Sequence, residues 1–190
     1  MNISTSALQE KNAKHLIQSF SDLSYIKNPE STHIISRADG VYIYDNDGKK
    51  ILDSMSGLWC VNMGYGQQSI IEAVNEQMKE LVYYNNFFGS SHPSAIKLSE
   101  MIANKTPEGM NKVYFCGSGS EANDTVVRLA RHYWAAKGKP SKSVIISRTN
   151  AYHGSTMAGA SLGGMSAMHA QGGLPIADIE HVDQPYYYDA

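Results

Sequence analysis

Several features that mark specialised folds are missing from the sequence. It has only two cysteines, Cys60 and Cys116, far apart in the chain, so neither a disulfide framework nor a zinc site is encoded. No apolar run approaches the roughly 18 residues that cross a bilayer. The N-terminal stretch MNISTSALQEKNAKH lacks a basic start and a greasy core, so no export signal is read there and a reducing cytoplasm is the expected compartment. An excess of one charge is absent too: 16 Lys+Arg against 18 Asp+Glu leave −2, without the basic stripe of a nucleic-acid binder. No His/Cys/Asp/Glu spacing suits a metal. What remains is ordinary globular composition, 42% hydrophobic and 18% charged over 190 residues, enough for one domain and part of another. Such a chain is expected to bury roughly 70% of its unfolded surface.

Local patterns order the chain. Residues 5–20 read as a helix with a thin apolar stripe of Leu8, Leu16, Ile17 and Phe20, broken by Asn28-Pro29-Glu30-Ser31. Three strand-like runs, His33–Arg37, Val41–Asp45 and Lys49–Asp53, form an antiparallel meander, with Asn46-Asp47-Gly48 as its hairpin turn. Beyond Gly66 helices alternate with strands. Ser69 and Glu72 have capping-box spacing ahead of the Ile70, Val74, Met78, Leu81 face, and Pro93 suits the first turn of the next helix. Val113–Cys116 reads as a strand. It is followed by a helix from about Ser120 with Ala122, Val126, Leu129, Ala130 and Tyr133 on its buried face. Val144–Ile146 reads as a strand buried on both faces, residues 154–173 as a glycine-rich loop, and Ile179–Val182 as a third strand. Alternation of this kind defines an α/β domain with a mostly parallel sheet. The division is drawn at 1–66 and 67–190.

The most informative segment is Val113-Tyr114-Phe115-Cys116-Gly117-Ser118-Gly119-Ser120-Glu121. A strand, a Gly/Ser turn and a helix in direct succession aim backbone N–H groups and the helix dipole at one point, which favours an anion. The segment lacks the Lys of a P-loop and the third glycine of a dinucleotide fingerprint, and Ser118-x-x-Glu121 is also readable as a capping box alone. Some thirty residues on, Tyr152-His153-Gly154 leaves the end of the next strand. Ligands of open parallel sheets bind beyond such carboxyl ends, so Tyr152 is either a ring stacked on a flat cofactor or an ordinary loop tyrosine. His153 is either structural or part of the same site. Trp59, between Gly57 and Gly64, is a pocket wall or a core residue, and Phe87-Phe88 are buried core or an interface anchor.

Taken together, four ordered blocks resemble the class III aminotransferases, and most of all the omega-amine:pyruvate transaminases. The blocks are Asp53-x-x-x-Gly57-Leu58-Trp59-Cys60-Val61-Asn62-x-Gly64-Tyr65-Gly66, Phe87-Phe88 with His92-Pro93, Ser118-Gly119-Ser120-Glu121-Ala122 and Tyr152-His153-Gly154-Ser155-Thr156. The likeness runs from about Arg37 onward. It implies the large domain of a fold type I pyridoxal-phosphate transferase, incomplete here, preceded by a small antiparallel segment. It further implies pyridoxal 5'-phosphate (PLP) as cofactor, its phosphate at Ser118, Gly119 and Ser120 and its ring at Tyr152, with His153 and Gly154 beside it. Leu58, Trp59, Phe87 and, more loosely, Phe20 would wall the substrate pocket. Amine and keto acid would be the substrates, with the active site at a homodimer interface.

Length departs from the resemblance. Family members are more than twice as long and carry their Schiff-base lysine in the second half; all 12 lysines here lie outside that motif, the last being Lys142. The expectation is therefore a front portion with no catalytic lysine, inactive alone, whose sheet lacks the strands of a missing C-terminal half. Gly117 stands where relatives often carry Asn. Two other readings are open: a half-domain that binds cofactor weakly or not at all, and a serine hydrolase using Ser161. Gly159-Ala160-Ser161-Leu162-Gly163 fits a nucleophile elbow, yet no strand precedes it, and Asp178 and His181 are too close in sequence to complete a triad.

Overall fold

Asp45 shapes the best-defined turn. Its carboxylate accepts from the N–H groups of Asp47 (3.1 Å) and Lys49 (2.8 Å), and Gly48 adopts φ +88°, so the chain reverses through Asn46-Asp47-Gly48. The turn joins β2 (Tyr42–Asp45) to β3 (Lys50–Leu52), and β2 also pairs antiparallel with β1 (Ile35–Asp39). The meander is as expected, with β1 starting two residues late. Arg37 and Lys50 cover the rings of Tyr44 and Tyr42 at 3.6 and 3.8 Å.

The computed structural model describes residues 3–186 and 188. Two units result, Met1–His92 and Pro93–Ala190. The first opens with α1 (Thr5–His15), capped by Ser4, and a short α2 (Leu23–Ile26). α1 stops five residues before Phe20: Leu16 turns extended, and Leu16 and Ile17 stay exposed, because an apolar stripe without a packing partner does not propagate a helix. After the meander comes α3 (Ser56–Trp59), a single turn in which all four residues have positive φ. α4 (Gln68–Glu80) is the next helix, without the expected capping box: Gln67 takes the cap position, and Glu72 instead accepts from the Gln68 side chain at 3.0 Å.

The second unit begins with α5 (Pro93–Ala103), proline at its first position as read from sequence. Residues 113–116 form no strand among the described residues, because a strand exists only where a neighbour supplies its ladder. α6 (Gly119–Ala136) then leads to β4 (Ile145–Arg148), which pairs parallel with β5 (Ile179–Val182). Between those strands, residues 154–173 are not simply loop: they hold α7 (Met157–Leu162) and α8 (Ser166–His169). β4 is covered on one face only. Ser147 is buried and donates to Leu162 O (2.5 Å), while Ile146 on the opposite face is exposed. The buried side of α6 also differs from expectation. Val127 is buried, whereas Val126, Leu129 and Tyr133 are about half exposed, since the helix turns its Ser120, Asp124, Val127 stripe toward α7. The chain exposes 15017 Å² in all.

Candidate functional site

The N-terminus of α6 is built by Ser118 and Glu121. Ser118 is the N-cap, its Oγ accepting the Glu121 N–H at 3.2 Å, and the Glu121 carboxylate accepts the Gly117 N–H at 2.6 Å. The capping reading of this segment therefore holds, and it leaves donors over. The N–H groups of Gly119 and Ser120 have no acceptor among the described residues, as the first turn of a helix dictates. Ser120 Oγ accepts the Ser155 N–H at 3.1 Å, so both serine hydroxyls act as acceptors and keep their own O–H groups to donate. A Cβ on Gly119 would meet nothing within 4 Å. Open space lies where a side chain would otherwise stand.

The second loop is laced to this helix end. Asn123 Nδ2 donates to His153 O at 2.6 Å; Thr156 Oγ1 and the Gly159 N–H donate to Asp124 Oδ1 at 2.6 and 3.0 Å. Gly154, at φ +128°, lies so close to Ser120 that a Cβ would stand 2.6 Å from its Oγ and 2.9 Å from its Cα. The result is one pocket of about 420 Å³ lined by Ser118, Gly119, Ser120, Asn123, Tyr152, His153 and Gly154. All six residues read from sequence as the cofactor set line it together. Asn123 and Asp124 were given no role by sequence reasoning. Their signal was a polar run at positions 120, 123 and 124 of a helix whose same stripe continues to buried Val127.

Chemically, the pocket presents the Gly119 and Ser120 N–H groups and the Ser118 and Ser120 O–H groups, none with an acceptor among the described residues, the positive end of an 18-residue helix and the exposed ring of Tyr152. That inventory fits a flat molecule carrying a phosphate. It does not fit a hydrolase. Ser161 sits inside α7 with 0% exposure, donating to Met157 O at 2.6 Å and accepting from the Ile176 N–H at 3.0 Å, so its hydroxyl cannot meet a substrate. The elbow reading is thereby overturned.

The aromatic residues singled out for a substrate pocket lie in the first unit. Leu58 and Trp59 stand on α3 at φ +62° and +66° and are strongly exposed, Trp59 at 82%. The core reading of Trp59 is thus excluded in this chain. Left-handed backbone costs a non-glycine residue about 1–2 kcal/mol. Asp53 offsets it: Oδ2 accepts the Gly57 N–H and the Tyr65 Oη–H, both at 2.7 Å. The Tyr65 bond holds the Asp53 carboxyl below the usual carboxylate range and raises the Tyr65 phenol above its ordinary value. Phe87 and Phe88 touch each other with centroids 6.0 Å apart and are exposed, and Phe20 is exposed as well.

A helix N-terminus with free amide donors, facing an aromatic loop at the carboxyl end of a parallel strand, defines an anion-holding α/β unit of the kind that binds phosphorylated cofactors. The chain belongs to the class III aminotransferase family, whose model matches residues 25–189. It is 53% identical over 187 residues to a putrescine–pyruvate aminotransferase of Pseudomonas aeruginosa, covering 98% of this chain and 41% of that protein. Among solved structures, a transaminase from a marine Virgibacillus matches with TM-score 0.90 and 40% identity over 95% of this chain and 41% of that one. The omega transaminase of Pseudomonas jessenii in complex with PMP matches with TM-score 0.92 and 37% identity over 96% and 40%. The fold is that of these transaminases, incomplete, and the family's cofactor is pyridoxal 5'-phosphate. The chain spans about two fifths of the length of the relatives it matches.

Proposed function

We propose that this chain is the phosphate- and ring-holding front portion of an aminotransferase. In the complete protein it would move an amino group from an amine or omega-amino acid to a keto acid such as pyruvate. One observation carries the reading: the Ser118–Ser120 turn and the Tyr152 loop line a single pocket in which the Gly119 and Ser120 N–H groups have no acceptor among the described residues. The name of the P. aeruginosa relative supports an amine donor with pyruvate as acceptor.

In this reading the Gly119 and Ser120 amides and the Ser118 and Ser120 hydroxyls bind the phosphate, and the α6 dipole favours its charge. Tyr152 stacks on the ring and fixes its plane, while Gly154 allows the approach of the loop. Bound there, PLP supplies an electron sink for breaking the C–H bond beside the amine, and the protein supplies orientation and proton transfer. No residue of this chain is assigned the lysine's role, so the 190-residue chain alone is read as inactive, holding the cofactor without a covalent bond. Leu58, Trp59, Phe20 and Phe87 are proposed as walls of the amine pocket in a cytoplasmic homodimer. Residues 1–66 would belong to the small domain and 67–190 to the large one.

Titrating the chain with PLP and following its absorbance tests this. Saturable binding, competed by inorganic phosphate and lost on dialysis, is expected. Gly119→Val should weaken it at least about ten-fold without unfolding, since the added side chain enters the open space of the pocket and not the packed interior. Binding that survives borohydride reduction and dialysis would contradict the missing lysine, and no binding at all would remove the pocket's assignment.

A further inference from the structure

We infer that His169 and His181 are a pair of positioning residues that orient Tyr152 through the peptide group between Gly163 and Gly164; only the cofactor consequence rests on the reading of the pocket given above.

Two imidazoles converge on one carbonyl. His169 Nε2 lies 2.7 Å and His181 Nε2 2.9 Å from Gly163 O, and the two rings meet edge to face with centroids 5.1 Å apart. His169 Nε2 is also 3.3 Å from Ala160 O. A carbonyl only accepts, so each ring must carry its proton on Nε2. The histidines come from different elements, α8 and β5, and their shared target is the buried cap residue of α7.

The other side of the same peptide faces the site. The Gly164 N–H donates to Ala151 O at 2.9 Å, and Gly164 O accepts from the Asn150 N–H at 3.0 Å. Ala151 C=O and the Tyr152 N–H are in turn one peptide group. A chain of polar groups thus runs from the two imidazoles through Gly163–Gly164 to the backbone that carries the Tyr152 ring. Donors on a carbonyl strengthen the N–H of the same amide, so the two histidines reinforce the bond to Ala151 as well as fixing its direction. The approach leaves no room for adjustment: a Cβ on Gly164 would overlap Arg148 O and lie 2.5 Å from Thr149 Cα and 2.7 Å from Asn150 N. Fixing one peptide plane therefore fixes the loop.

The arrangement is decided on the unmodified, isotope-labelled chain at pH 8 by long-range 1H–15N correlation of the imidazoles. Both rings should show protonated Nε2 and bare Nδ1; the opposite tautomer in either ring overturns the inference. Replacing either histidine by Phe should speed hydrogen exchange at the Gly164 and Asn150 amides about five-fold, and Gln, which keeps a donor, should restore them to within about two-fold. Unchanged exchange in the Phe variants would also overturn it. If a Phe variant fails to fold, the tautomers of the parent still decide. With PLP, the Phe variants should bind about five-fold more weakly and the Gln variants as the parent does. Exchange that responds while PLP affinity does not would refute the link to Tyr152. Failure of the parent itself to bind PLP would count against the pocket reading, while tautomer and exchange still judge the histidines.

Discussion

Gly119 and Gly154 occupy one pocket for opposite reasons. At Gly119 a side chain would enter open space; at Gly154 it would strike the Ser120 backbone. Gly154→Ala should therefore damage folding as well as binding, by roughly 2–4 kcal/mol, from the clash together with a backbone angle that L residues rarely adopt. Urea unfolding of the second unit, followed by the exchange of the Ser155 amide, checks this. Asp53 and Tyr65 give a second residue-scale expectation. Because the folded Asp53 carboxyl is held below its ordinary value of 3.8, its contribution is complete at neutral pH. It is lost as pH falls below about 4 through the folded value. Tyr65 works at the other end: its contribution is present below about 10 and fades as pH rises through its raised folded value. NMR of 13C-labelled tyrosine should show Tyr65 ionising above the ordinary phenol value of 10.0, and Asp53→Asn should bring it down toward that value.

At the scale of elements, what sequence disclosed was whatever local chemistry decides. The hairpin at Asn46–Gly48 and the start of α5 at Pro93 depend on residues within a turn of one another, and both stand where they were read. The serine-glycine turn of α6 was legible for the same reason. Orientation was not. α6 carries one stripe through Val126, Leu129 and Tyr133 and another through Ser120, Asn123, Asp124 and Val127. Only the position of α7 reveals that the more polar stripe is the packed one. Residues 113–116 have strand composition but no pairing partner among the described residues, and pairing is a property of two segments, so one segment could not announce its absence. The polar stripe makes a prediction. Asp124→Ala removes the acceptor of both Thr156 Oγ1 and the Gly159 N–H and should destabilise the second unit by about 1–3 kcal/mol, while Asp124→Asn retains part of that. Thermal unfolding of the two variants side by side distinguishes a lost bond from a general disturbance.

For the whole molecule, surface is the telling quantity. A closed monomer of 20.9 kDa exposes roughly 9,000 Å². This chain exposes 15017 Å², and its uncovered residues include Val126, Leu129, Tyr133, Ile146 and Phe88. The expectation that about 70% of the unfolded surface would be buried is therefore not met. Side chains of this kind favour contact with other apolar surface over water by roughly 25 cal/mol per Å². The isolated chain should bind a hydrophobic dye strongly and self-associate with rising concentration, which light scattering from micromolar upward measures. A monomer that ignores the dye would show that these faces are covered in solution.

The turn that presents Trp59 has a mechanical consequence. Three non-glycine residues are wound against their natural hand, held by backbone bonds from Trp59 N–H to Met55 O and Cys60 N–H to Ser56 O together with the Asp53 carboxylate on the Gly57 N–H, so replacing Asp53 would take one restraint from a strained turn and loosen the backbone that carries the indole.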